Sequence, residues 1–360
     1  MLPFERVFVG KKILVTGHSG FTGSWACSWL NTIGAEVAGF SLPPETTPSL
    51  FVELELADRV KSTFGDIRDL PTLTAAVAEF EPEFILHLAA QPLVMRSHRE
   101  PALTFEVNAQ GTANVLEAAR ATASVKAVLC VTTDKVYKNR GTGASFVEGD
   151  ELGGDDPYSA SKAAAELVIN SYVQSSRATG SHMPVVAVAR GGNIIGGGDW
   201  SEDRLVADFV RAVESHGKLS VRFPQATRPW QHVLALVHGY LLLLAGLSAE
   251  DHQRFAKPWN LGPRDDEQFS VRDVVDLMCA SWRSPELEYG SGTLAESKFL
   301  AIDSSMAREE LRWNPVWDTR RAITETTRWY EAFYGGASTA RDITDLQIEA
   351  WRSALVNANE

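Results

Sequence analysis

Cysteine is scarce in this chain: three occur in 360 residues, Cys27, Cys130 and Cys279, in no paired spacing. That excludes a disulfide framework and a zinc cluster of cysteines. Positive charge is also in deficit, with 34 Lys and Arg against 46 Asp and Glu, a formal net charge of −12. Such a surface argues against broad binding to nucleic acid or to anionic lipid. It leaves room for a small anionic substrate met by one or two local arginines. Long apolar runs are missing too. The longest, Val233 to Leu247, contains His238 and Gly239 and is too short to span a bilayer, so it reads as a buried helix. Met1 to Lys12 carries no secretory signal pattern. Repeats and low-complexity tracts are absent, and the expectation is a soluble, cytoplasmic protein.

What is present is a strand–turn–helix alternation. Strands are expected at 13–16, 36–40, 84–88, 127–132 and 185–189, and helices at 25–33, 69–79, 108–121 and 159–175. Short apolar strands alternating with amphipathic helices specify an α/β fold, a doubly wound parallel sheet of Rossmann type. After Arg190 the alternation breaks into Gly-rich turns and Trp-dense short helices. The length suggests about two domains. We read residues 1–189 as a dinucleotide-type domain to which part of 230–260 returns. Residues 190–229 and 261–360 then form a smaller C-terminal substrate lobe.

Gly17-His18-Ser19-Gly20-Phe21-Thr22-Gly23 follows the first strand and opens the first helix. The spacing G-x-x-G-x-x-G allows a tight turn and close backbone approach to a pyrophosphate at a helix N-terminus. The acidic residue usual after the second strand is replaced by Gly39-Phe40-Ser41, and no arginine stands there for a 2′-phosphate, so NAD is favoured over NADP. Asp66, after the third strand, faces the adenine or caps the next helix. Tyr158 and Lys162 form a Tyr-x-x-x-Lys pair on one helix face. A lysine ammonium there lowers the phenol pKa toward that of a general base. Thr133, Asp134 and Lys135 stand at the C-terminal end of a strand, where open α/β sheets bind ligands.

These motifs resemble the extended short-chain dehydrogenase/reductase superfamily. Further stretches, 15–21, 88–94, 133–137, 196–200 and 228–233, are similar to the CDP-glucose 4,6-dehydratase family over nearly the whole chain. The Asp134-Lys135 pair carries that resemblance, because dTDP-glucose and GDP-mannose dehydratases typically have Asp-Glu there. The resemblance implies a lyase: a redox-neutral dehydration of a sugar nucleotide, CDP-glucose, on tightly held NAD, in deoxysugar biosynthesis. Tyr158 takes the 4-hydroxyl proton as hydride leaves carbon 4, Lys135 abstracts the proton on carbon 5, and Asp134 protonates the departing 6-hydroxyl. Thr133 binds the sugar near the 4-oxygen, and Lys162 holds the nicotinamide ribose. Gly17, His18, Ser19, Gly20, Phe21, Thr22, Gly23, Asp66, Ile67, Leu88, Ala89 and Ala90 are then cofactor-binding, with Tyr158 and Lys162. Gln91, Asn193, Arg204 and Arg228 are substrate-binding, although Asn193 could only form a turn and either arginine could be a surface ion-pair residue. A homodimer or higher homo-oligomer is also implied, and no metal.

Departures from the family pattern are Thr22 for a usual lysine, Gly191 for alanine, and Met95 and His98 where Arg and Tyr are common. The alternatives are another nucleotide-sugar 4,6-dehydratase, a 4-epimerase or simple dehydrogenase of the superfamily, or a catalytically silent NAD-binding protein.

Overall fold

The computed structural model describes residues 1–141, 143–263, 269–290 and 300–358. The five strands expected by range, with a sixth ahead of Asp66, form a parallel sheet: β1 (Lys12–Thr16), β2 (Glu36–Ser41), β3 (Lys61–Phe64), β4 (Phe84–His87), β5 (Ala127–Val131) and β6 (Val185–Gly191). A seventh, β7 (Pro258–Leu261), arrives from far along the chain and pairs with β6, giving the order β7-β6-β5-β4-β1-β2-β3. The strand order reverses between β1 and β4, the switch point at which open α/β sheets bind nucleotides.

Alternate residues feed two separate cores, as the two-residue period of a strand requires. Ile13, Val15, Phe84, Leu86, Leu129 and Ala189 point to one face. Helices α1 (Phe21–Thr32) and α6 (Val233–Leu247) cover it. Leu14, Ile85, Val128, Cys130, Val186 and Val188 point to the other. There α2 (Leu70–Phe80), α3 (Gly111–Ala121) and α4 (Pro157–Thr179) pack. The helix expected at 108–121 is preceded by the short helices Val94–Arg99 and Pro101–Phe105 and a π turn, Glu106–Gln110. In that turn Asn108 donates to the Gln91 carbonyl at 3.1 Å and to Ser161 Oγ at 2.9 Å, tying the β4 loop to α4.

The region expected to form the lobe contains α5 (Leu205–Glu214), α7 (Val271–Ser281) and α8 (Thr319–Tyr334). The C-terminal helix bridges the two parts expected from sequence. Helix α9 (Ala340–Ala358) lies on α1, not only within the lobe. The reason is a buried polar clamp: Glu5 accepts from Trp29 Nε1 at 2.9 Å and from Arg352 Nε at 2.7 Å, so both chain ends close on the nucleotide domain. No helix among the described residues is long and apolar enough to cross a membrane.

Four histidines are enclosed in these cores. Burial pulls His18 down to about 4 and His87, His232 and His238 down to about 3. Each is neutral when folded but charged in the unfolded chain below about 6.5, so its stabilisation is present above that pH. It is lost as the pH falls toward the folded values, at roughly 1.4 kcal/mol per pH unit per histidine. The expected result is a Tm that drops steeply between pH 6.5 and 5. A Tm flat across that interval would contradict the enclosure of these rings.

Candidate active site

A single cleft of about 1200 Å³ runs along the C-terminal ends of β1, β4, β5 and β6 and under the lobe. At its cofactor end Gly17 takes φ +75°, and a Cβ there would stand 2.8 Å from the Ala89 nitrogen. A Cβ on Gly23 would collide with the Gly17 carbonyl. The N-cap Gly20 has no side chain to satisfy the first amides of α1, so these N–H groups stay available to an anion. Gly17, Ser19 to Gly23, Asp66, Ile67 and Leu88 to Ala90 all line the cleft. Glycine where no Cβ fits, beside unsatisfied helix amides, suits a dinucleotide pyrophosphate. Gly23→Ala is expected to abolish NAD binding or leave the chain unfolded. A well-folded Gly23→Ala variant with wild-type NAD affinity would contradict this cradle.

His18 does not line the cleft with the rest. Its ring turns inward over Gly39, where a side chain would collide with it, and meets Ser41 Oγ at 2.9 Å and Ser62 Oγ at 3.1 Å. Any cofactor contact from His18 is left to its backbone. The same packing accounts for Gly39 standing near the end of β2. Asp66 is not the cap of the next helix; Asp69 is, accepting from the Thr72 amide at 3.2 Å. Asp66 is instead chelated by Arg68, whose Nη2 donates to it at 2.7 Å and holds its carboxyl below the usual range.

The catalytic end is built on a 3₁₀ turn, Asp134–Val136, directly after β5. Thr133 Oγ1 donates to Asp134 Oδ1 at 3.0 Å, while Asp134 Oδ2 is buried without a hydrogen-bond partner. Burial raises this carboxyl to about 6, against the opposing effects of Lys135, Thr133 and Arg228. Lys135 lines the cleft beside it, half-buried. The burial expected of a lysine acting as base is thus only partial.

Tyr158 enters from the first turn of α4. Asp156 caps that helix through the Ser159 amide at 2.9 Å, and Pro157 fits its first position. Burial pushes the Tyr158 phenol up to about 12, with Thr133 and Arg204 working to lower it. Lys162 is on the same helix face, yet its Nζ donates to the Val131 carbonyl at 3.0 Å. Thr133 and Arg204 are the groups that oppose the rise of the phenol, while the Lys162 ammonium is engaged at the end of β5. The lysine is drawn to a free strand-end carbonyl that periodicity could not reveal. Burial lowers Lys162 itself to about 8.

On the substrate side Arg228 is buried, lines the cleft, and donates through Nη1 to the Thr227 carbonyl at 2.8 Å. Arg204 also lines the cleft and stands 3.8 Å from Asp199. Asn193 opens a short strand paired with Trp230 and faces the same space. The segment before Arg204 is clamped from below: Trp25 Nε1 donates to the Gly197 carbonyl at 3.0 Å, and Tyr330 Oη donates to the Asp199 carbonyl at 2.7 Å. Gln91 is held by its own loop. Its Nε2 donates to the Leu93 carbonyl at 3.1 Å and Thr104 Oγ1 at 2.9 Å, and its Oε1 accepts from the Leu93 amide at 2.7 Å. Gln91 lines the cleft while these bonds fix its side chain to the loop.

Arg222 and Tyr240 also line the cleft and were not singled out from sequence. Neither were Glu166 and Arg190 beneath it. Glu166 carried a signal, standing four residues past Lys162 on the same helix face.

A family model described as GDP-mannose 4,6 dehydratase matches residues 14–326, which include every candidate catalytic and cofactor position above. The chain belongs to this family. A CDP-glucose 4,6-dehydratase from Salmonella typhimurium is 39% identical over 357 residues, 97% of this chain and 99% of the relative. A UDP-glucose 4-epimerase from Mycolicibacterium smegmatis is 29% identical, covering 89% of this chain and 98% of its own length. Among solved structures, a dTDP-glucose 4,6-dehydratase from Streptomyces venezuelae with NAD bound superposes with a TM-score of 0.77 at 25% identity. That match covers 90% of this chain and 98% of the other.

Proposed function

We propose that this chain is an NAD-dependent lyase converting CDP-D-glucose to CDP-4-dehydro-6-deoxy-D-glucose with loss of water and no net redox change. The observation that carries the reading is Asp134: an enclosed carboxyl, raised to about 6, with one unpartnered oxygen, next to Lys135. A 4-epimerase needs no such acid. The family membership and the 39% identical CDP-glucose enzyme support the substrate.

NAD, held by the Gly17–Gly23 cradle, Leu88–Ala90 and Lys162, supplies reversible hydride acceptance. Tyr158 is the base for the sugar 4-hydroxyl, and Thr133 beside it orients that oxygen. Once carbon 4 is a ketone, the proton on carbon 5 is acidified, and Lys135 is placed to remove it. Asp134, whose carboxyl burial raises to about 6, delivers its proton from the acid form to the 6-hydroxyl as water departs. Arg228 and Arg204 meet the diphosphate, supplying the local positive charge that a net −12 surface lacks.

The setting is cytoplasmic, in keeping with the free thiols Cys27, Cys130 and Cys279. The assembly is a homodimer whose contact includes Leu167 of α4, a leucine 61% exposed. The test of the function is a panel of CDP-glucose, dTDP-glucose, UDP-glucose and GDP-mannose, read by the alkaline ultraviolet absorbance of a 4-keto-6-deoxy sugar. Product is expected from CDP-glucose. Activity restricted to another member of the panel overturns the substrate, and a 4-epimer as product overturns the reaction.

A further inference from the structure

Beneath the catalytic turn lies a buried ion pair that the chemistry above leaves unused. Glu166, one turn past Lys162 on α4, is 5% exposed, and Arg190 at the end of β6 is 2% exposed. Arg190 Nε donates to both Glu166 oxygens, at 2.9 and 3.1 Å. Thr132 Oγ1, the hydroxyl just ahead of Thr133, donates to Glu166 Oε1 at 2.7 Å. Arg190 Nη1 donates to Tyr137 Oη at 2.7 Å and to the Glu148 carbonyl at 3.0 Å. Tyr137 Oη then donates to Asn260 Oδ1 on β7 at 2.6 Å.

One pair therefore links every segment that carries a reacting group. Glu166 belongs to the helix of Tyr158 and Lys162. Thr132 and Tyr137 bracket Thr133, Asp134 and Lys135. Arg190 immediately precedes Gly191 to Asn193. A buried ion pair is a weak source of stability, since well-packed apolar residues often serve as well or better. A bidentate guanidinium–carboxylate contact does impose a fixed geometry. Reacting groups on separate elements need that, because a misplacement of about 1 Å can cost on the order of 100-fold in rate.

We propose that Glu166 and Arg190 are positioning residues: their ion pair locks α4 to the ends of β5 and β6. Glu166 also stands one turn past Lys162 on the same helix face, where a carboxylate favours the cation. This rests on the NAD-dependent reading above. The titratable groups that act on Lys162 are Cys130 on β5, His87 on β4 and Glu166 on α4. His87 is neutral and the Cys130 thiol is raised to about 12, so neither carries charge near neutrality. Glu166 is the carboxylate that opposes the effect of burial on Lys162.

The test measures NAD affinity across pH 6 to 10 and steady-state turnover of CDP-glucose, in the full chain and three variants. Glu166→Gln keeps the shape and removes the charge. Its alkaline loss of NAD affinity is expected about one pH unit lower than in the wild type. Its kcat is expected to fall about 10- to 100-fold with KM nearly unchanged. Arg190→Lys keeps a cation without the fork, so its kcat should fall while its pH limb stays in place. Thr132→Val severs one link and leaves the pair intact, and should lower kcat about three- to tenfold, again at constant KM. A folded Glu166→Gln chain with wild-type kcat and an unmoved pH limb overturns the inference. If Glu166→Gln does not fold, Thr132→Val decides, and an unchanged kcat overturns it. A wild-type chain that binds no NAD removes the cofactor reading and this inference with it.

Discussion

Tyr158→Phe is expected to lower turnover of the nucleotide sugar by about 10³-fold while leaving its KM within roughly threefold. The ring stays, so packing at the start of α4 is kept, and only the phenol oxygen, whose phenolate is the proposed acceptor of the 4-hydroxyl proton, is lost. General acid–base catalysis contributes about 10²- to 10⁴-fold in enzymes. Tyr158 acts at the first chemical step, so no later step can compensate. The phenol lies well above neutrality, at about 12, because burial outweighs Thr133 and Arg204. The phenolate fraction grows with pH, so the oxidation step should accelerate toward alkaline pH until Lys162, at about 8, begins to lose its charge. Arg204→Met removes one of the groups that lower the phenol, and should move the rising limb to higher pH. A Tyr158→Phe chain with more than about a tenth of wild-type turnover would show that another group takes this proton.

The second large effect is expected at the acid–base pair, where two variants separate the half-reactions. Asp134→Asn keeps the size and the Thr133 contact but has no proton to give. Water loss should fall about 10²- to 10³-fold, whereas oxidation at carbon 4 in a single turnover should fall far less. Lys135→Ala should show the same asymmetry, blocking water loss more than the first oxidation. An equal loss in both half-reactions would instead mark the pair as sugar-binding groups. The pH sign follows from the raised Asp134 carboxyl. The acid form dominates below about 6, so the water-loss step should slow as the pH rises through that value. Asp134→Asn should abolish that dependence.

Much of this arrangement was legible in the sequence, and what was not has identifiable physical reasons. The strands were legible because each is a short apolar run whose alternate residues, such as Leu14 against Ile13 and Val15, serve two cores. The Gly17–Gly23 turn and the Tyr158–Lys162 pair were legible because their chemistry demands fixed spacing within one segment. The direction of the His18 ring was not, since it depends on a void above Gly39 created by a different strand. The commitment of Gln91 to Leu93 and Thr104 was hidden for the same reason, as was the attraction of Lys162 to the Val131 carbonyl. Helix α9 reads by composition as part of the lobe, but Glu5, 347 residues earlier in the chain, draws Arg352 onto the nucleotide domain. Local pattern reports periodicity and turn chemistry. Pairings such as Glu166 with Arg190 are long-range solutions to burying charge, and only the folded chain displays them.

The claim that ties these elements together is that one cleft removes hydrogen from carbon 4 and restores it at carbon 6 within a single molecule. CDP-[4-²H]glucose tests it most directly, with the product analysed by nuclear magnetic resonance. The account predicts a 4-keto-6-deoxy sugar carrying the deuterium on carbon 6, with no net change in the oxidation state of NAD. Deuterium returned to carbon 4 of an epimer, or a product that accumulates with stoichiometric reduction of NAD, would contradict it.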